Sequence, residues 1–181
     1  MPSTVADARD LLIASVLCPD PVMYIDDRWL YEQEDVLPPV VELNLTEQKP
    51  MISRSGNDIT IVGSSHASLL AREGADILGN ENISAEVFDV RVLNPFFVDD
   101  IVESVKKTGN LLVVDSGCLS AGFSGELIAK VVERLPVNCL QNTPMRIALP
   151  DAPAPTSRVL ERDYYLSSAD VVGATRRILK I

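Results

Sequence analysis

The stretch DITIVGSSHASLLAREGADILGNENISAEVFDVRV, residues 58–92, decides how this chain folds. Asp58–Gly63 is a short apolar, β-branched run and predicts a strand. Ala67–Leu78 carries apolar residues at helical spacing, and Ile83–Val92 returns to strand composition. A helix of ten or more residues between two strands is a crossover, and crossovers join parallel neighbours. Parallel sheets are covered on both faces, so the unit predicts a layered α/β body.

The same alternation runs to the end of the chain. Val98–Lys107 predicts a helix, Leu111–Val114 a strand, and Gly125–Leu135 a helix closed by Pro136. Short strands are expected at Val137–Leu140 and Arg146–Leu149. After the proline-rich DAPAPT, Ser168–Leu179 has the pattern of a closing helix. The expected architecture over residues 55–181 is three-layer α/β/α, with a mostly parallel, mixed five-stranded sheet.

Outward in the other direction the pattern breaks. Thr4–Leu17 has helical spacing, with Ser3 or Thr4 as the cap and Pro19 and Pro21 as the stop. Val22–Ile25 predicts a short buried strand. Residues 32–56, with Pro38, Pro39 and Pro50, are expected to be a linker ending at the turn Ser55–Asn57. The early helix and strand cannot bury their own faces or fill their own hydrogen-bonding edges. They have the look of a piece missing its remainder.

Composition narrows the function classes. A chain of 181 residues can bury about 70% of its unfolded surface, enough for a core. With 46% apolar residues and no run long enough to span a bilayer, it reads as a soluble protein. MPSTVADARD lacks an export signature, so the cytoplasm is expected. A net charge of −10 without a concentrated basic face excludes nucleic acid and membrane as main partners. Cys18, Cys118 and Cys139 are few and far apart, which speaks against a disulfide frame or a zinc site and for three small buried hydrophobes.

Candidate chemistry is sparse. The glycines of DSGCLSAGFSGEL, at 117, 122 and 125, match neither a dinucleotide fingerprint nor a phosphate loop. That loop is either a phosphate cradle at a helix amino end or a hinge docking the helix on the sheet. His66, expected to cap the helix that follows it, has no partner histidine for a metal. Asp26–Asp27 and Asp99–Asp100 read as solvated surface or helix-start charge. Trp29, Tyr31, Tyr164 and Tyr165 form either a contact patch or packing. Spacing alone assembles no active site.

Taken together, GNDITIVG, ISAEVFDVRVLNPF, DDIVESVKKTGNLLVVDSG, AGFSGELIAKV and LPDAPAPTSRVLE resemble the carboxy-terminal half of the beta subunit of thiamine-dependent 2-oxo acid dehydrogenases, the pyruvate and branched-chain enzymes. The likeness extends through ARDLLIASVLCPDPVMYIDDRWLY and covers residues 6–181. It implies three parts: residues 1–31 as the closing helix and strand of an incomplete pyrimidine-binding-type domain, 32–56 as linker, and 57–181 as a transketolase C-terminal-type domain.

The resemblance implies that the coenzyme-activating glutamate lies in a preceding half, and that thiamine diphosphate and magnesium are held by an alpha subunit. No cofactor or catalytic residue is then expected in this chain. The implied partners are an alpha subunit, the amino-terminal part of the beta subunit and an acyltransferase core, in a homo- or hetero-oligomer. Matched positions carry folding and interface roles: Asp89, Arg91 and Pro95; Gly122, Phe123 and Glu126; Asp151, Pro153 and Glu161. Backbone carbonyls at Ser15, Cys18 and Asp20 match a monovalent-cation site. Ala121 stands where the family has the first of two glycines, and APAPTS lacks the usual aromatic. Glu126 near the helix start argues for the docking hinge over the phosphate cradle. A free-standing dimerisation or docking module of this type is the alternative, and a nucleotide-binding α/β protein the weaker third reading.

Overall fold

A computed structural model describes residues 1–181. Strand β2 (Ile59–Gly63), helix α2 (His66–Gly79) and strand β3 (Ala85–Asp89) form the expected crossover unit, with β2 and β3 parallel in register Ile59↔Ala85. Helix α3 (Asp99–Thr108) carries the chain back past β2 to β4 (Leu111–Cys118) on its other side. Helix α4 (Phe123–Val132) leads to β5 (Met145–Leu149), again parallel. Helices α5 (Arg158–Tyr164) and α6 (Ser168–Leu179) complete the chain. Only β1 (Met51–Arg54) runs antiparallel, along the outer edge of β3. The sheet order is β1-β3-β2-β4-β5.

The period-two alternation of each strand fills two cores. Ile59, Ile61, Val87, Leu112 and Val114 point to one face, where α2 and α6 close over them. Val62, Phe88, Leu111 and Val113 point to the other, under α3 and α4. Thr60, on that second face, is fully buried among hydroxyls, 2.7 Å from Ser104 Oγ and 2.8 Å from Thr108 Oγ1. The helix ends obey local chemistry. Gly109, at φ 69°, closes α3 in the left-handed conformation, and Ser167 with Asp170 forms a reciprocal capping box on α6.

Five strands were expected in the sheet and five are found, with one exchanged. Val137–Leu140 is a turn: Pro136 cannot donate to a ladder, and Asn138 sits at φ 65°. The fifth strand is β1, inside the stretch read as linker. Pro50 excludes a central strand but not an edge strand, which is where β1 lies. Val22–Ile25 is not a strand either. It has no neighbouring ladder, and Val22, Met23 and Ile25 are exposed. Cys118 is exposed and Cys18 and Cys139 are partly so, which corrects their reading as buried hydrophobes.

Helix α1 (Val5–Leu17), capped by Thr4, buries Leu11 and Ala14 but leaves Leu12, Val16 and Leu17 exposed. The following segment wraps it through Tyr24 Oη, which donates to Ala8 O at 3.0 Å, and through Arg9, which donates to the carbonyls of Pro38 and Pro39.

Helices α2 and α6 meet at Gly74, where an added Cβ would lie 2.7 Å from Val171 Cγ1. Gly74→Ala is expected to lower stability by about 1 kcal/mol, overpacking of ~2 kcal/mol outweighing alanine's helical advantage of ~1 kcal/mol. Combining it with Val171→Ala in a double-mutant cycle is expected to give a favourable coupling of about 1 kcal/mol in urea unfolding.

Candidate functional site

Because β2 to β5 are parallel, the loops that follow them gather at one end of the sheet. That edge holds His66 after β2, Arg91 and Pro95 after β3, Gly122 and Phe123 after β4, and Asp151 and Pro153 after β5. It lies outside the carboxyl ends of the strands, where open α/β sheets bind ligands.

Three of the strands bring an aspartate to this edge, and each is engaged by donors from within the chain. Asp89 ends β3 fully buried and accepts a hydrogen bond from Ser3 Oγ. Burial pushes its carboxyl up from 3.8 to about 6; the nearby Asp7 charge adds to this, while bonds from Ser3 and Ser68 and the Arg91 charge work against it. Asp115, in β4, accepts from the Ser124 amide at 2.8 Å and the Gly117 amide at 2.8 Å. Asp151 accepts from Ser120 N at 3.0 Å and Ser120 Oγ at 2.5 Å, bonds that lower its pKa.

Asp115 therefore answers the question of the glycine loop. Its carboxylate sits at the amino end of α4, where a phosphate would have to bind, so the loop is a docking hinge. Glu126, assigned that blocking role from sequence, instead lies exposed and pairs with Lys130 at 3.3 Å. Gly122 is required for closeness: a Cβ there would fall 2.2 Å from Cys118 O. Ala121 is held at φ 56°, a conformation that a glycine would adopt without steric cost. Phe123 packs edge-on against Phe96, with ring centroids 5.0 Å apart.

Arg91 fastens α1 to the domain. Its Nη1 donates to Asp7 Oδ1 at 3.1 Å, and its Nη2 to Gln48 Oε1 at 3.1 Å and Lys49 O at 3.3 Å. Asp7 Oδ2, Asp89 Oδ1 and Arg91 Nε are buried without partners of their own. Beside this seam opens a cavity of about 490 Å³ lined by Arg91, Pro95, Val22 and Tyr24. Ser15, Cys18 and Asp20 line it too, so the structure joins two groups that the sequence kept apart. Asp20 supplies the only carboxylate of the three, and no cluster of three His, Cys, Asp or Glu side chains suited to a metal exists in the chain. Glu161 lies in α5, half-buried and away from this seam.

His66 is the first residue of α2 and not its cap; Ser65 occupies the cap position at φ 52°, fully buried. The His66 ring stacks on Trp29, centroids 5.9 Å apart, and Tyr165 meets Trp29 edge-on at 5.7 Å. Tyr31 stands apart, exposed, its hydroxyl donating to Asp26 Oδ2 at 2.5 Å. Sequence reasoning missed Asp115, Asp7 and Ser3. Only Asp115 left a signal, an aspartate at the end of a strand just before glycines.

The model of the transketolase C-terminal domain matches residues 48–171. This chain belongs to the transketolase C-terminal domain family. Transketolase C-terminal domain relatives include the pyruvate dehydrogenase E1 component subunit beta of Bacillus subtilis, 33% identical over 99% of this chain and 55% of its own length. The mitochondrial pyruvate dehydrogenase E1 subunit beta of Saccharomyces cerevisiae is 32% identical over 100% of this chain and 50% of its own. The beta subunit of acetoin:2,6-dichlorophenolindophenol oxidoreductase from Cupriavidus necator is 32% identical over 99% of this chain. The chain thus spans about half the length of these relatives. Among solved structures, a split-gene transketolase described as an inactive beta4 tetramer superposes with a TM-score of 0.66 over 81% of this chain and 46% of its own, at 27% identity.

Asp89 makes the seam sensitive to pH. The folded chain holds this proton more tightly than the unfolded one, so the contribution favours folding fully below pH ~4 and is lost as pH rises through about 6. In urea unfolding, Asp89→Asn is expected to gain roughly 2–3 kcal/mol relative to wild type between pH 4 and pH 7. A flat difference would remove the buried carboxylate from the account. Asp115→Ala, which strips the cap from α4, is expected to cost about 1–2 kcal/mol in the same measurement.

Proposed function

We propose that this chain serves as the carboxy-terminal part of a 2-oxo acid dehydrogenase beta subunit of the pyruvate dehydrogenase type. It contributes assembly and docking surfaces to thiamine-dependent oxidative decarboxylation carried out with partner chains. One observation carries this reading: the likeness to E1 beta subunits runs through 99% of the chain, taking in α1 and the wrapped segment that precede the domain proper. A free-standing module would have no reason to keep a helix with an exposed apolar flank. Val16 is 77% and Met23 85% exposed, and such surface is what a partner covers.

In this reading residues 1–31 close a pyrimidine-binding-type domain, 32–56 link it, and 57–181 form the assembly domain. Asp89, Arg91 and Pro95 shape the seam between the two, while Gly122, Phe123, Glu126, Asp151, Pro153 and Glu161 shape the carboxyl-edge loops and their neighbours. Thiamine diphosphate and magnesium belong to the partner chains, an alpha subunit and the amino-terminal beta portion, and an acyltransferase core docks on the assembly. A monovalent cation at the carbonyls of Ser15, Cys18 and Asp20 is supported by their shared cavity and by the free carbonyls ending α1. The Arg91 guanidinium on the same cavity opposes a second positive charge, so the site is weak. No helix of this chain is long and apolar enough to cross a membrane. Three unpaired cysteines suit the cytoplasm that we assign to it.

Reconstitution tests the proposal. The purified chain alone is expected to show no pyruvate-dependent dye reduction with thiamine diphosphate and magnesium. Co-expressed with alpha-type and amino-terminal beta-type chains from the same genome, it is expected to co-purify with them and support turnover. A chain that stays monomeric at micromolar concentration and joins none of these partners would refute it. Turnover by the isolated chain would do the same.

A further inference from the structure

The carboxyl edge is not blocked everywhere. β3, β4 and β5 each bring an aspartate that satisfies local donors, but β2 is followed by Ser64 and Ser65, with His66 opening α2 and no side-chain bond from Ser65 capping that helix. The chain leaves β2 for β3 on one side and, through α3, returns to β4 on the other. The end of β2 is therefore the switch point of the sheet, the usual place for a ligand crevice in this architecture.

A cavity of about 290 Å³ lies there. Its floor is apolar, made by Leu70, Leu149 and Leu166, and Ser116 adds a hydroxyl. Trp29, His66 and Tyr165 surround it with three rings, and Trp29 is 59% exposed, leaving much of its surface accessible. Asp26 and Asp27 also line it. Each spends one oxygen on the local turn, Asp26 on Tyr31 Oη and Asp27 on the Trp29 amide, and keeps the other free. Arg28 is the single Lys or Arg on the lining.

These features select by shape and charge together. Flat ring faces on the lining favour a planar group. An indole face with two carboxylates nearby attracts a cation, since the ring quadrupole and the acids act in the same sense. The two carboxylates outweigh Arg28, and the chain as a whole carries −10, so a phosphate-bearing ligand is repelled.

We infer that this cavity is a binding site for a planar cationic nitrogen heterocycle of the pyridinium class, free of phosphate. The site is separate from the α1 seam and does not depend on the proposed subunit role.

Trp29 is the only tryptophan in the chain, so indole fluorescence reports on this cavity alone. Titrating the full chain with 1-methylnicotinamide is expected to give saturable quenching with a dissociation constant of millimolar or tighter. Uncharged nicotinamide is expected to bind at least about fivefold more weakly, as is 1-methylnicotinamide to Tyr165→Ala or to Asp26→Asn/Asp27→Asn. Strictly linear, collisional quenching in the wild type would overturn the inference without reference to any variant. Equal affinity for nicotinamide, or tighter binding of ATP, would overturn its charge selection. The titration uses this chain alone and reconstitution uses its partners, so each can fail without the other.

Discussion

One guanidinium holds the two parts of this chain together. Arg91 leaves the end of β3 and donates at once to Asp7 on α1, to Gln48 and to the carbonyl of Lys49. Removing it would leave the Asp7 and Asp89 carboxylates near one another in a buried seam without its charge to offset them. The direction in which α1 faces follows from this clamp. Its Leu11 and Ala14 turn inward, and Leu12, Val16 and Leu17 remain outside. The apolar flank that argues for a partner is thus a consequence of where one ion pair fixes the helix.

The clamp also explains why a short antiparallel strand exists at all. Met51–Arg54 has little β-branched character and follows a proline, and in isolation it would not pair. The bonds from Arg91 to Gln48 and Lys49 hold the approach to β1 beside the end of β3, and Met51 then stands opposite Asp89. Arg54 adds an ion pair to Asp76 on α2. Pairing that costs too much loop entropy alone becomes favourable once its entry point is anchored.

The elements that sequence reasoning recovered were those with long, uninterrupted periodicity, such as β2, α2, β3 and α6. Their residues are buried in the two cores, where pattern and packing demand the same thing. The errors fell where tertiary partners decide. Val22–Ile25 and Val137–Leu140 have strand-like side chains but no ladder to join, while Met51–Arg54 has a ladder and weak side chains. The site shows the same division. Asp89, Arg91 and Pro95 stood in one readable motif, whereas Ser3 and Asp7 lie more than eighty residues away in sequence and meet them only in the fold. His66 was read as the cap of α2 and is instead its first residue, and its stacking on Trp29 depends on how the wrapped segment returns to the sheet.

Charge at the carboxyl edge then separates two kinds of ligand chemistry. In many open α/β sheets the helix amino ends face outward with free amides, and anions bind there. Here Asp115 fills the amino end of α4, Asp89 is buried behind Ser3, and Asp151 is tied to Ser120. Asp115 supplies internally the negative charge that a phosphate would bring to α4. At α4 a nucleotide would have to displace the folded-in Asp115, losing its charge-assisted bonds to the Gly117 and Ser124 amides. The fold is therefore retained while its usual phosphate chemistry is closed off. The remaining opening, at the end of β2, is lined by rings and by Asp26 and Asp27 and takes the opposite sign of charge.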